Sequence, residues 1–233
     1  MIATARLSLS RWLTLLVLAA VLPLLAFGAL TLAWLTASYR ASVDRGQTDT
    51  TRALALALDA EVRAWKAILF ALAESDELRS GRLQEFHGDA TQVAARYQGW
   101  IGLTDAAGRQ LLNTARPYGD ALPGGGLPAT LVQVFQEGHP AVSDVRRGRL
   151  APLFLITVAV PVLQDGGVRY ALHLSLAPEA LNRTLAAQRL PPSWTAAVVD
   201  SRHRVVARWP QQPERIGQPA VARLPEALAE EDQ

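Results

Sequence analysis

The residues best equipped for chemistry are four histidines, His87, His139, His173 and His203, and an arginine run at Arg146, Arg147 and Arg149. No histidine stands four residues from another or beside carboxylates at ligand spacing, so the pattern offers no transition-metal site. The chain has no cysteine, which excludes disulfides, thiolate ligands and thiol nucleophiles. Gly124-Gly125-Gly126 lacks the Lys and Ser or Thr that complete a phosphate loop, and reads as a flexible connection with an anion cradle as the alternative. No G-x-S-x-G elbow and no kinase or cyclase signature occurs, so neither a catalytic residue nor a cofactor is expected.

Binding chemistry remains. The planar fork of arginine suits a small carboxylate, which makes Arg146 and Arg149 candidate ligand contacts, although a solvated arginine run is the commoner outcome. His173 alternates with Leu172 and Leu174 and so points to one face of a strand. There it would either read a ligand or stand as a solvent-facing or satisfied histidine. Asp144, after Ser143, could orient an amine or simply end a strand. Tyr118 could close over a ligand or pack as a loop aromatic, while Trp100 and Phe154 read as core.

These residues need a scaffold, and the chain is long enough for one or two small domains. Of 233 residues 50% are hydrophobic, and 23 basic side chains stand against 21 acidic ones. A net charge of +2 with scattered arginines argues against a nucleic-acid surface, and a mean hydropathy of +0.12 is too apolar for a disordered chain.

The apolar character is concentrated at one end. From Trp12 to Tyr39 no charged side chain occurs. Trp12 and Trp34 would stand about 33 Å apart on a helix, close to the thickness of a bilayer's hydrocarbon core, with Tyr39 just outside. The predicted transmembrane helix is 12–36, behind a short tail at 1–11. A cleaved signal peptide would have a shorter core, and Thr36-Ala37-Ser38 is a weak cleavage site, so an uncleaved anchor is the preferred reading. Arginines flank both ends (Arg6 and Arg11, then Arg40, Arg45 and Arg52), and charge alone does not set the orientation. A long folded domain translocates largely regardless of charge, which places residues 40–233 outside the cytoplasm.

Beyond the anchor, Leu54, Leu58, Val62, Trp65, Leu69 and Leu72 form the apolar stripe of an amphipathic helix. That stripe could pair with a second copy in a homodimer or pack onto the chain's own sheet. A second helix is predicted at Leu83–Tyr97. The period then changes to that of strands. Gly99–Asp105 and Arg109–Asn113 read as a hairpin around Gly108, and Ala129–Glu137 as a helix closed by Gly138. Ala151–Val162 and Val168–Leu176 read as strands joined by Asp165-Gly166-Gly167, and a helix follows Pro178. A further hairpin pairs Trp194–Asp200 with Val205–Trp209. Its Val-Val-Asp-Ser-Arg-His-Arg parallels the earlier Leu-Thr-Asp-Ala-Ala-Gly-Arg, an internal repeat of a strand-turn-strand opening.

The apolar anchor, the long helix through Leu72, the hairpin Leu103–Thr114, Pro161 in the long strand, Tyr170–Pro178 and the Leu190–Trp194 junction occur in an order that resembles the double Cache sensor family. So do Val198-Val-Asp200, Arg204–Arg208 and Gly217. The resemblance covers about 40–219. It implies an α+β chain with one transmembrane helix, a stalk helix (37–80), a first PAS-like antiparallel sheet flanked by helices (81–190) and an incomplete second PAS-like unit (191–233). It further implies an extracytoplasmic, single-pass inner-membrane module that binds a small ligand, a carboxylate or an amino acid, between sheet and loops. Such a module would be the N-terminal part of a sensor histidine kinase, diguanylate cyclase or chemoreceptor, with any kinase activity in a further C-terminal domain. A membrane-anchored binding protein without its own output is the alternative. Candidate ligand contacts are Tyr118, Asp144, Arg146, Arg149 and His173, and the partners implied are the membrane and a second copy rather than nucleic acid.

Overall fold

The computed structural model describes residues 9–150 and 152–220. The chain divides into two units, one up to Ala53 and one from Leu54 onward. Helix α1 runs Leu9–Ala73. In the first unit the side chains of Phe27, Leu30, Leu32 and Trp34 are exposed. Among the described residues no helix is long and apolar enough to cross a membrane. The backbone of the apolar run that predicts a span is helical, and most of its side chains, those of Trp12 and Tyr39 included, lie outside what the structure describes.

The second unit is α+β. Its elements are α2 (Asp76–Arg79), α3 (Leu83–Tyr97), β1 (Gly99–Asp105), β2 (Gln110–Asn113), α4 (Ala129–Glu137), β3 (Ala141–Val142) and β4 (Arg146–Arg147). They continue with β5 (Phe154–Gln164), β6 (Gly167–Leu176), α5 (Glu179–Ala187), β7 (Ala196–Val199) and β8 (Val205–Trp209). The antiparallel main sheet has the order β2-β1-β6-β5-β3, with β4 also paired to β5. Strands β7 and β8 form a separate hairpin. Ser75 stops the long helix and caps α2, its hydroxyl accepting from Leu78 N at 3.3 Å.

The register sorts the side chains of the sheet. Ile101, Leu103, Leu112, Val158, Val160, Leu172, Leu174 and Leu176 share one face, which is apolar except at its end, where Asp105 stands opposite Tyr170. Trp65, Leu69 and Leu72 of α1 and Phe86, Ala90 and Ala94 of α3 pack in the same core. The stripe on α1 is thereby used within the chain. The opposite face carries Trp100 and Thr104, Thr157 and Ala159, and Ala171, His173 and Ser175. Helix α4 covers only its alanines, packing Leu131 and Val134 on Ala141, Ala159 and Ala171.

The two predicted hairpin openings share their turn chemistry atom for atom. In the first, Asp105 accepts from Arg109 N at 2.9 Å and Arg109 Nε at 2.8 Å. In the second, Asp200 accepts from Arg204 N at 2.8 Å and Arg204 Nε at 3.0 Å. Both turns put their fourth residue at positive φ, Gly108 at 80° and His203 at 55°, and both β1/β2 and β7/β8 slip register just before the aspartate. The β5–β6 turn is equally local, since Asp165 and Gly166 both take positive φ as a two-residue hairpin requires. Strand β5 begins at Phe154, three residues later than its apolar run predicts, and continues to Gln164. Strands β3 and β4 carry no alternation that would announce them and exist because β5 offers an edge.

Candidate functional site

The polar face of the sheet is not left bare. Loop 115–128, the segment 146–150 and the start of α4 border it, leaving a partly open cavity of about 230 Å³. Its floor is built from Trp100 and Thr104 of β1, Leu155 and Thr157 of β5, and His173 and Ser175 of β6, with Gln110 and Asn113 at the β2 side. Arg146 enters from β4, and Arg116 and Arg149 line the rim. No aspartate or glutamate lines it.

Buried polar groups knit this floor together. Thr157 Oγ1 lies 3.1 Å from Ser175 Oγ, its cross-strand partner, and accepts from Arg146 Nη2 at 3.1 Å. Thr104 Oγ1 lies 3.3 Å from His173 Nε2. The His173 ring rests against Gly102, its partner across the β1–β6 ladder, where a Cβ would collide with it. Two buried nitrogens on the cavity residues have no hydrogen-bond partner, Arg146 Nε and His173 Nδ1. Burial, and next the Arg146 charge, push the His173 imidazole down to about 4, so it is neutral at physiological pH. Burial, and then neighbouring Arg149, lower the Arg146 guanidinium from its ordinary range, yet arginine stays a cation. Arg149 closes the rim by donating from Nη2 to Gly125 O at 2.8 Å and from Nη1 to Gly126 O at 3.3 Å. Gly125, at φ 140°, has no Cβ to block that approach.

The structure therefore brings together Arg146, Arg149 and His173 of the residues singled out by sequence. Tyr118 and Asp144 lie outside this cavity. Tyr118 packs near His87, ring centroids 5.9 Å apart. Asp144 accepts from Ser201 N at 3.1 Å and Ser201 Oγ at 2.8 Å and pairs with Arg202 at 3.2 Å, so it ties the main sheet to the β7–β8 turn. Arg147 points away from the cavity, over the Phe154 ring at 5.0 Å, and Phe154 lies against the core as expected. Trp100, expected in the core, is half-buried and lines the cavity. Sequence reasoning missed Thr104, Thr157 and Ser175. The available signal was polar residues recurring on one parity of otherwise apolar strands.

No family model matches the sequence, and no curated protein matches it. The likeness is in structure. The chain shares the α+β, PAS-like fold of solved sensor and ligand-binding domains. The sensor domain of the V. cholerae histidine kinase DctB superposes with a TM-score of 0.61 at 15% identity, covering 83% of this chain and 76% of that one. Methyl-accepting chemotaxis protein X gives 0.56 at 12% identity over 79% and 80%. The ligand-binding domain of the Pseudomonas aeruginosa PAO1 amino acid chemoreceptor PctC, in complex with GABA, gives 0.55 at 14% identity over 76% and 79%.

Proposed function

We propose that this chain is the extracytoplasmic small-ligand sensing module of a membrane signal-transduction receptor, and that the cavity over β1, β5 and β6 is its ligand site. The single observation that carries this is a sheet face whose buried polar groups are roofed mainly by loops, with only the first turn of a helix at its edge, around an open cavity. A structural core would fill such a face with apolar side chains, because buried polar groups without partners are costly. The fold of the three neighbours supports the reading. Arg146, Arg149 and His173 would contact the ligand.

The proposed organisation is a tail at 1–11, an inner-membrane anchor at 12–36, a stalk at 37–80, a first PAS-like subdomain at 81–190 and the opening of a second at 191–233. The uncharged run from Trp12 to Tyr39 and the exposed Phe27, Leu30 and Trp34 support the anchor. Leu56 and Phe70, exposed four turns apart on one side of α1, offer a surface for a homodimer. A sensor histidine kinase is the favoured output. The test is thermal unfolding of the full chain in detergent micelles against a panel of small metabolites. A ligand at 100 times its Kd raises stability by about 2.7 kcal/mol, and one chemical class is expected to do so. A panel spanning acids, amines, amino acids and sugars that leaves the midpoint unmoved refutes the reading.

A further inference from the structure

Resting on that reading, we infer that the β7–β8 turn is a working part of the ligand site: Asp144 and Asp200 are positioning residues that clamp the cavity wall, segment 143–147, from behind and so hold Arg146 over the floor. Strand β4 is only the pair Arg146–Arg147, shorter than the roughly 3–10 residues usual for a strand. It meets β5 at Leu155 and Phe154 alone. A ladder that short fixes little, yet this segment carries the Arg146 side chain to the cavity and to Thr157 Oγ1 at 3.1 Å. Something else must hold it.

Its anchors alternate between the main sheet and the second hairpin. Ser143 N donates to Thr157 O at 2.8 Å and Ser143 Oγ accepts from Thr157 N at 2.9 Å, which ties the segment to a residue of the cavity floor. The next two residues are held from the other side, Asp144 by Ser201 and Arg202, and Val145 N by the Asp200 carboxylate at 3.2 Å. Arg146 and its β5 partner Leu155 then line the cavity. Arg147 turns the opposite way over the Phe154 ring, and that ring lies so close to Gly217 that a Cβ there would fall 2.5 Å from it. The dependence is mutual, because a lone two-stranded hairpin is marginal in water and β7–β8 needs this docking as much as β4 does. Coupling of this kind is reciprocal, so a molecule that fixes Arg146 also fixes the hairpin.

Chemical access to the cavity floor reads the clamp. The chain contains no cysteine, so Ser175→Cys places a single thiol on the floor, at a residue only 8% exposed. Its alkylation by iodoacetamide is followed in the full chain in micelles. On that background Asp144→Ala and Asp200→Ala should each speed the reaction on the order of 10- to 100-fold, the worth of a hydrogen bond to a charged group when the wall opens locally. Asp144→Ala leaves the hairpin's own turn bonds in place, and it decides the matter should Asp200→Ala fail to fold. Asp144→Asn keeps an acceptor for Ser201 and should restore part of the protection. Leu78→Ala, which weakens the core at α2 without removing any of these bonds, should lower Tm and leave the rate nearly unchanged. Rates in the aspartate variants that equal the parent's, or that Leu78→Ala matches, overturn the clamp, as does a parent thiol already as reactive as a free one. The metabolite panel judges the sensing reading separately: a midpoint that no compound moves refutes that reading, while the alkylation rates still decide whether the wall is clamped.

Discussion

Asp200→Ala tests whether the second hairpin is held as the geometry indicates. The Asp200 carboxylate is 3% exposed. Its Oδ1 accepts from the N–H groups of Arg202 at 3.0 Å and Arg204 at 2.8 Å, and its Oδ2 from Val145 N at 3.2 Å and Arg204 Nε at 3.0 Å. Removing it strands backbone donors and the Arg204 guanidinium. Breaking a buried ion pair costs about 3–5 kcal/mol, and because Arg204 is 28% exposed water recovers part of that, leaving roughly 2–4 kcal/mol. The matched Asp105→Ala removes the same turn motif where Arg109 is 78% exposed, so about 1 kcal/mol is expected. At about 2–4 °C per kcal/mol for a chain of this size, Asp200→Ala should lower Tm by roughly 4–16 °C and Asp105→Ala by roughly 2–4 °C. Thermal unfolding of the full chain followed by circular dichroism reads both. An Asp200→Ala loss no larger than that of Asp105→Ala would refute the account, because the two variants differ in burial and in the long-range bond to Val145 rather than in local chemistry.

Other outcomes follow from the same coordinates. His173 is held near 4 in the folded protein, below its ordinary value of about 6.5. The unfolded state therefore binds the extra proton first, and stability present above pH 6.5 is lost as pH falls towards 4, by about 3 kcal/mol. His173→Gln should flatten that segment in denaturant titrations between pH 7 and 4.5, and an unchanged slope would contradict it. Gly102→Ala places a Cβ against the His173 ring and 2.8 Å from Gln110 Nε2. It should cost about 1–3 kcal/mol as overpacking and weaken ligand binding, whereas full affinity would argue that the ring is not a ligand contact. His203→Gly should stabilise by about 0.5–1 kcal/mol by relieving the left-handed φ of 55°, while Gly108→Ala, at φ 80° and with Leu127 N 3.2 Å from the added Cβ, should destabilise by more than that. Equal effects of the two on Tm would count against the turn analysis.

Much of the architecture is written locally. The hairpin turns are legible because an aspartate, a residue tolerating positive φ and an arginine stand at fixed offsets, and their hydrogen bonds close within five residues. Helices α3 and α4 end where Gln98 and Gly138 take positive φ, and of the two only the glycine signals this by type. The apolar run of β5 and the alternation of β6 likewise mark a sheet, and the stripe on α1 marks the face that must be buried.

What local pattern cannot carry is the choice between faces and the identity of distant partners. Alternation says that His173 and Leu172 point opposite ways, but the cover over each face is supplied by other elements. Only once α1 and α3 have taken the leucine face does the other become a cavity floor. Three clustered arginines then diverge, Arg146 inward to Thr157, Arg147 outward over Phe154, and Arg149 onto the Gly125 and Gly126 carbonyls. Asp144 finds Ser201 and Arg202 more than fifty residues later in the chain. Such contacts depend on loop closure and docking, which tertiary packing alone decides. The sequence by itself determined the longer strands, the turns and the apolar surface to be hidden. The tertiary structure decided which polar groups would line the cavity and which would be buried, because it alone supplies the cover over each face of the sheet.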